Sequence, residues 1–364
     1  MSMGEPSAEH LILGTRKGLI RYERRQGSWQ FVQEALPAQT MSYAFVDRRN
    51  DTLWAALDHG HWGNKLQRSR DLGESWEEVP TPAYPENAKR PDGGSAACTY
   101  LWYIAPGGEE EPNRLYFGTE PGGLFSSDDG GDSWQLNEAL WLHPSREHWF
   151  GGGRDQAGLC SIIVDPRDSR RITVGISVGG VYVSEDGGES WQGRNRGLNA
   201  CYLPNPAAEY GHDPHYMLAS PSQPDVLWQQ NHCGIFRSED GGRNWLDISQ
   251  KETGAYFGFA IAVDEEDARC AWVVPAVDAE YRIAVERRLR VCRTEDGGGS
   301  WQELTVGLPQ GPSYDLVFRH ALDVSGDTLA FGTTTGNFFI SEDRGDTWQC
   351  LSHHLPPIHS VRFH

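Results

Sequence analysis

Ser184-Glu185-Asp186-Gly187-Gly188-Glu189-Ser190-Trp191 is one copy of an eight-residue frame, Ser/Thr-x-Asp-x-Gly-x-x-Trp, that the chain keeps returning to. It recurs at Ser69–Trp76, Ser127–Trp134, Ser238–Trp245, Thr294–Trp301 and Ser341–Trp348. A worn copy at Tyr22–Trp29 carries Arg24 and Gln26 where the Asp and Gly would stand. The seven tryptophans are spaced by 47, 58, 57, 54, 56 and 47 residues. Self-similarity at such a period marks a repeat architecture.

Outward from Ser184, each unit shows the same four phrases. In the fourth, Leu159–Asp165, Arg171–Ile176 and Gly180–Ser184 are β-rich runs, the frame is the turn, and Trp191 starts a fourth strand. Branched and aromatic residues fill the runs, and Gly, Pro and Asp punctuate them. The second, third, fifth, sixth and seventh units parse alike; the seventh is expected to open with a strand over Tyr314–Asp323. The first unit lacks an inner strand, and Ile358–His364 is a strand with nothing after it. Ring closure resolves both: an all-β, seven-bladed β-propeller of four-stranded blades, with the C-terminal strand completing the first. The expected organisation is a disordered leader over 1–8 and one propeller over 9–364. Within each frame, the Asp can accept backbone N–H bonds and the Trp can bury its ring, so the frame is a staple between outer strands. Arg344-Gly345-Asp346 belongs to the last staple rather than to an adhesion motif.

With 32 basic and 51 acidic residues, the formal net charge is −19. Such a chain repels phosphate backbones and anionic lipid, which argues against nucleic-acid and membrane partners. No apolar secretory run or membrane-length apolar stretch is visible, and the seven cysteines are scattered without a C-x-x-C pair. A cytoplasmic protein with reduced thiols is expected.

The frames resemble the Asp-box, or BNR, repeats of sialidase-like propellers. Gly14-Thr15-Arg16-Lys17-Gly18-Leu19, Gly118-Thr119-Glu120-Pro121-Gly122-Gly123-Leu124, Gln230-Asn231-His232-Cys233-Gly234 and His354-Leu355-Pro356-Pro357 resemble bacterial BNR-repeat proteins commonly labelled glycosyl hydrolase or sialidase-like. The resemblance implies the fold and brings no catalytic residue with it. Sialidases carry an Arg-Ile-Pro type motif, an arginine triad and a Tyr/Glu pair on six blades; no Arg-Ile/Leu-Pro occurs here. Seven-bladed relatives include xyloglucan-degrading enzymes, built from two propellers around one cleft, and photosystem II assembly factors.

Since the frames occupy one rim, a functional site is expected on the opposite face, built by the loops between second and third strands and by the connections between blades. Long, non-repetitive loops there point to function. Glycoside hydrolysis needs paired carboxylates, and the candidates are Asp155, Glu120, Asp58, Asp213 and Asp315. Arg16, Lys17, His148, Trp149, Arg154, Tyr202, His232 and Arg319 are candidates for holding a carbohydrate or anionic small molecule. The bland alternative is that these acids cap loops or pair with arginines. No cofactor is expected, with a metal on His59, His61, His212 and His215, joined by His232 and Asp213, as a second option. Gly175-Ile176-Ser177-Val178-Gly179 matches G-x-S-x-G but lacks the strand–turn–helix setting of a nucleophile elbow. Gly151-Gly152-Gly153-Arg154 lacks the lysine of a phosphate loop, although its backbone could still nest an anion. Two functions follow as expectations: a sialidase-like glycoside hydrolase or lyase working in the axial funnel, or a non-catalytic propeller presenting that face to a protein partner or metabolite.

Overall fold

A computed structural model describes residues 9–364, so the expected leader at 1–8 lies outside the described residues. Seven four-stranded antiparallel sheets form the ring. The fourth blade shows the pattern, with strands Gly158–Asp165, Asp168–Ser177, Gly180–Ser184 and Gln192–Gly193 in that order from the centre outward. Inner strands are apolar on both faces because each packs between neighbouring blades; all seven residues of Met41–Asp47 are buried. Helix among the described residues is confined to Glu138–Trp141 and three short 3-10 turns, and none is long and apolar enough to cross a membrane.

The ring closes as the missing strand requires. Ile358–Phe363 pairs antiparallel with His10–Thr15, setting Val361 opposite Leu13 and Phe363 opposite Leu11. Ile358 and Val361 are fully buried. The same strand sends Arg362 into the centre, where it donates to the hydroxyls of Tyr43 and Tyr216 at 3.0 Å each. His320 sits among the rings of Tyr43, Tyr103 and Tyr216 at 4.8–5.0 Å, so with Arg362 side chains from five blades meet at the axis.

The frames are staples of a specific design. Ser184 Oγ donates to Asp186 Oδ1 at 2.7 Å and accepts the Gly188 N–H at 2.8 Å. Asp186 in turn accepts the Ser190 N–H at 2.9 Å and the Ser190 hydroxyl at 2.5 Å. The last frame repeats this, with the Gly345 N–H on Ser341 Oγ at 2.8 Å, which keeps Arg344-Gly345-Asp346 inside the staple. The outer strands after these frames run only two to four residues. The worn copy lacks the carboxylate but has longer strands: Gly18–Arg25 and Ser28–Ala35 are eight residues each and pair from Leu19 opposite Ala35 to Arg25 opposite Ser28.

One strand differs from expectation. The inner strand of the seventh blade is Leu322–Ser325, and residues 314–321 form a loop. Asp315 is the reason: it accepts from Ser313 Oγ at 2.6 Å, from Asn337 Nδ2 at 2.8 Å and from the Thr335 hydroxyl. This buried polar knot holds the segment out of the sheet and leads Arg319 and His320 toward the axis.

Candidate functional site

The frame turns and the turns between first and second strands share one rim; the Gly187 N–H, for example, bonds to Arg170 O at 2.8 Å. The opposite face carries the expected loops, and they converge most closely around Asp213. This residue and His215 lie at the start of the fifth blade's inner strand, and His232 follows Asn231 at the end of its second strand. Asp213 Oδ1 accepts from Ser177 Oγ at 2.7 Å. Asp213 Oδ2 lies 3.5 Å from both His215 Nε2 and His232 Nδ1. Asp213 and His215 are 3% and 2% exposed, whereas the side chain of His232 is 31% exposed and opens the cluster outward. Burial opposes charge on Asp213, but the two histidines and the Arg319 guanidinium outweigh it and hold its carboxyl well below the usual carboxylate range. Burial pulls the His215 ring down despite that neighbouring carboxylate.

The cluster borders a cavity of about 70 Å³ lined also by Trp102, Arg154, Gln156, Phe259, Arg282 and Arg319. Arg319 stacks on Trp102 and Phe259 at 5.3 Å each, and Arg282 lies 5.5 Å from the Phe259 ring. Arg154 stacks on Tyr100 at 4.1 Å and pairs with Glu120. Gly151-Gly152-Gly153 passes over the cluster. A Cβ on Gly152 would meet Val178 Cγ2 at 2.2 Å and Asp213 Oδ2 at 3.5 Å, so only glycine lets the backbone run this close.

On the other side of the same loop lies a larger cleft of about 290 Å³. Asp155 and Asp92 both line it, together with Arg90, Arg146, Trp149 and Phe150. Asp92 is held by the Gly94 N–H at 3.0 Å and by Arg90 at 3.1 Å. Asp155 is exposed, and Gln156 borders both spaces.

The remaining candidates are placed as follows. Glu120 is 2% exposed, engaged by Arg154 and by the Gln156 N–H at 3.3 Å, which suits it to fixing the loop. Asp315 is committed to its polar knot, whose hydrogen bonds outweigh burial and lower its pKa. Asp58 is half-buried at the end of its strand, and Arg16 and Lys17 are exposed in a turn of the first blade. Trp149 is buried and donates from Nε1 to Tyr182 OH at 2.9 Å, while His148 stacks on Tyr210 at 4.1 Å. The Tyr202 ring meets His232 edge-on at 5.3 Å. The histidines divide: His215 joins the cluster, whereas His212 turns its Nε2 to Ala208 O at 2.6 Å, His59 accepts the Trp62 N–H at 3.1 Å, and His61 packs on Trp62. His59, His61 and His212 thus stand apart from the metal-like grouping expected of them.

Sequence reasoning missed Asp92, Ser177 and Arg282. The signals were present. Asp92 lies in a connection running from 80 to 99, as long as those that drew attention. Ser177 is the serine of the discounted G-x-S-x-G, acting as a hydrogen-bond donor to Asp213 rather than as a nucleophile.

Comparisons with known proteins find partial similarity to xyloglucanases and fold likeness to xyloglucanases and YCF48, without placing the chain in a family. No protein-family model matches. An oligoxyloglucan-reducing end-specific xyloglucanase of Emericella nidulans is 26% identical over 215 residues, covering 57% of this chain and 24% of that protein. A xyloglucanase of a Paenibacillus species is 29% identical over 168 residues, covering 40% and 16%. The chain thus spans a quarter or less of the length of these relatives. Among solved structures, the GH74 xyloglucanase of Xanthomonas campestris superposes with TM-score 0.62 at 17% identity, covering 98% of this chain and 52% of that one. YCF48 from Cyanidioschyzon merolae superposes with TM-score 0.53 at 14% identity, covering 99% and 97%. At these identities the structural likenesses are likenesses of fold.

Proposed function

We propose that the chain is a carbohydrate-acting propeller hydrolase whose substrate is a glucan of the xyloglucan class, bound in the 290 Å³ cleft with Asp155 and Asp92 as the carboxylate pair. The observation that carries this is the presence of two carboxylates on the wall of one cleft, the requirement that glycoside hydrolysis imposes. The sequence similarity to xyloglucanases supports the substrate class, and it favours that class over the sialosides suggested by the repeat. The cleft is near the lower end of the roughly 300–1,000 Å³ usual for ligand sites, which fits a short stretch of a glucan. Exposed aromatics at Trp62, Phe150, Tyr202, Tyr281 and Tyr314, all in loops of this face, offer ring surfaces for sugars.

Release of reducing ends from xyloglucan oligosaccharides tests the reading. Asp155→Asn and Asp92→Asn should each lower kcat by on the order of 10²–10⁴-fold, the usual contribution of a positioned acid or base, with Tm unchanged. Wild-type rates in both variants would refute the pair. No turnover by the wild type on xyloglucan or cello-oligosaccharides would refute the reading as a whole, and turnover of sialosides alone would return it to a sialidase-like one.

A further inference from the structure

The Asp213 cluster plays no part in that reading, and its geometry asks for an occupant. His215 Nδ1 lies 2.6 Å from Gly258 O. A carbonyl only accepts, so Nδ1 carries a proton and Nε2 is the ring nitrogen left to serve as a ligand. Nε2 lies 3.5 Å from Asp213 Oδ2. His232 brings its Nδ1 to the same oxygen at the same distance, and one ligand atom from each of the three residues lies within 4.8 Å of the others. Donors held 2.0–2.2 Å from one ion stand about 3–4 Å apart. The supports match those around metal ligands: a backbone carbonyl fixes the tautomer of His215, and the Ser177 hydroxyl orients the carboxylate.

The charges around the cavity complete the picture. Arg282 is exposed and Arg319 half-buried; neither forms an ion pair among the described residues, and the Asp213 charge acts on Arg319 from further away. Arg319 Nε is buried without a hydrogen-bond partner. Two guanidiniums on the wall of one cavity can offer an anion charge-assisted hydrogen bonds from two sides.

We propose that Asp213, His215 and His232 bind one divalent first-row transition metal as a two-histidine, one-carboxylate set, and that Arg282 and Arg319 hold an oxyanion at its open positions in the 70 Å³ cavity. The space admits a small oxyanion and excludes a sugar chain. The inference stands independently of the carbohydrate reading.

The test uses the full chain, stripped with a chelator, reloaded with Zn²⁺ or Co²⁺ and dialysed before elemental analysis. One equivalent of metal should remain in the wild type and in His212→Ala, and His215→Ala and His232→Ala should lose it. Ser177→Ala should weaken affinity by about 10–100-fold. His232 is partly exposed, so His232→Ala keeps the test valid if His215→Ala fails to fold. No stoichiometric metal in the reloaded wild type, or full retention in folded His232→Ala, would overturn the site. Oxalate and inorganic phosphate, titrated into the Co²⁺ form, should shift its visible absorption. The tighter of the two identifies the oxyanion, and Arg319→Met should weaken it by about 10–100-fold. An unchanged spectrum with both anions, or unchanged affinity in Arg319→Met, would overturn the anion half.

Discussion

At the residue scale, chemistry was easier to recognise than company. Asp155, Asp213, His215 and His232 stand out in the sequence as polar residues toward the non-frame face. What the sequence does not contain is who meets whom. Asp213 and His232 are 19 positions apart, and the pairing of Pro214 with Asn231, followed by the His232 N–H bond to Asp213 O at 3.0 Å, brings them together. Glu120 looks as reactive as Asp155 on paper, but it is 2% exposed and closed off by Arg154, whereas Asp92 stays exposed despite its bonds to Arg90 and the Gly94 N–H. Gly152 is the residue whose substitution reports on both spaces. An alanine Cβ would lie 2.2 Å from Val178 Cγ2 and push the loop that carries Asp155. The loop is exposed, so Tm of Gly152→Ala should stay near the wild-type value. Its kcat/KM on xyloglucan oligosaccharides should fall by on the order of 10²-fold, the effect of misplacing a reacting group by about an ångström. Wild-type kcat/KM would separate this loop from the chemistry.

At the element scale, the frame was legible because a turn of fixed chemistry must be spelled in fixed residues. Its carboxylates are stabilised by neighbours rather than by burial. Hydrogen bonds from Ser75 and Ser69 bring Asp71 to about 2, those from Ser133 and Ser127 bring Asp129 to about 2, and those from Ser190 and Ser184 bring Asp186 to about 2. A carboxyl whose pKa is lower in the folded than in the unfolded chain stabilises the fold above its unfolded value. That stabilisation disappears as pH falls through the folded value. The frames should therefore loosen between about pH 4 and pH 2, an interval set by the unfolded Asp value near 3.9 and the depressed values above. Tryptophan fluorescence should follow this loss, and Asp186→Asn should lower stability at neutral pH while flattening the acid slope. An unchanged acid profile in Asp186→Asn would mean the frame is decorative. The seventh inner strand shows where this legibility stops. Tyr314–Asp323 has strand composition, but Asp315 finds Ser313, Thr335 and Asn337 across a loop, and no local pattern announces partners 20 residues away.

At the scale of the whole molecule, seven frames and one unmatched terminal strand were enough to deduce a closed ring, because a propeller leaves no other place for Ile358–Phe363. The same symmetry hides the site. Repeats specify what the blades share, and function lies in what they do not share: the 80–99 connection, the glycine loop at 151–153 and the segment that delivers Arg319. The frames' contribution is to hold one rim rigid and leave the other to the variable loops. The most direct test of this division of labour is a crystal structure of the chain soaked with a xyloglucan oligosaccharide. The account predicts sugar density between Asp92 and Asp155, beside Phe150. Density on the frame rim, or a cleft that stays free of sugar while the oligosaccharide binds elsewhere, would contradict it.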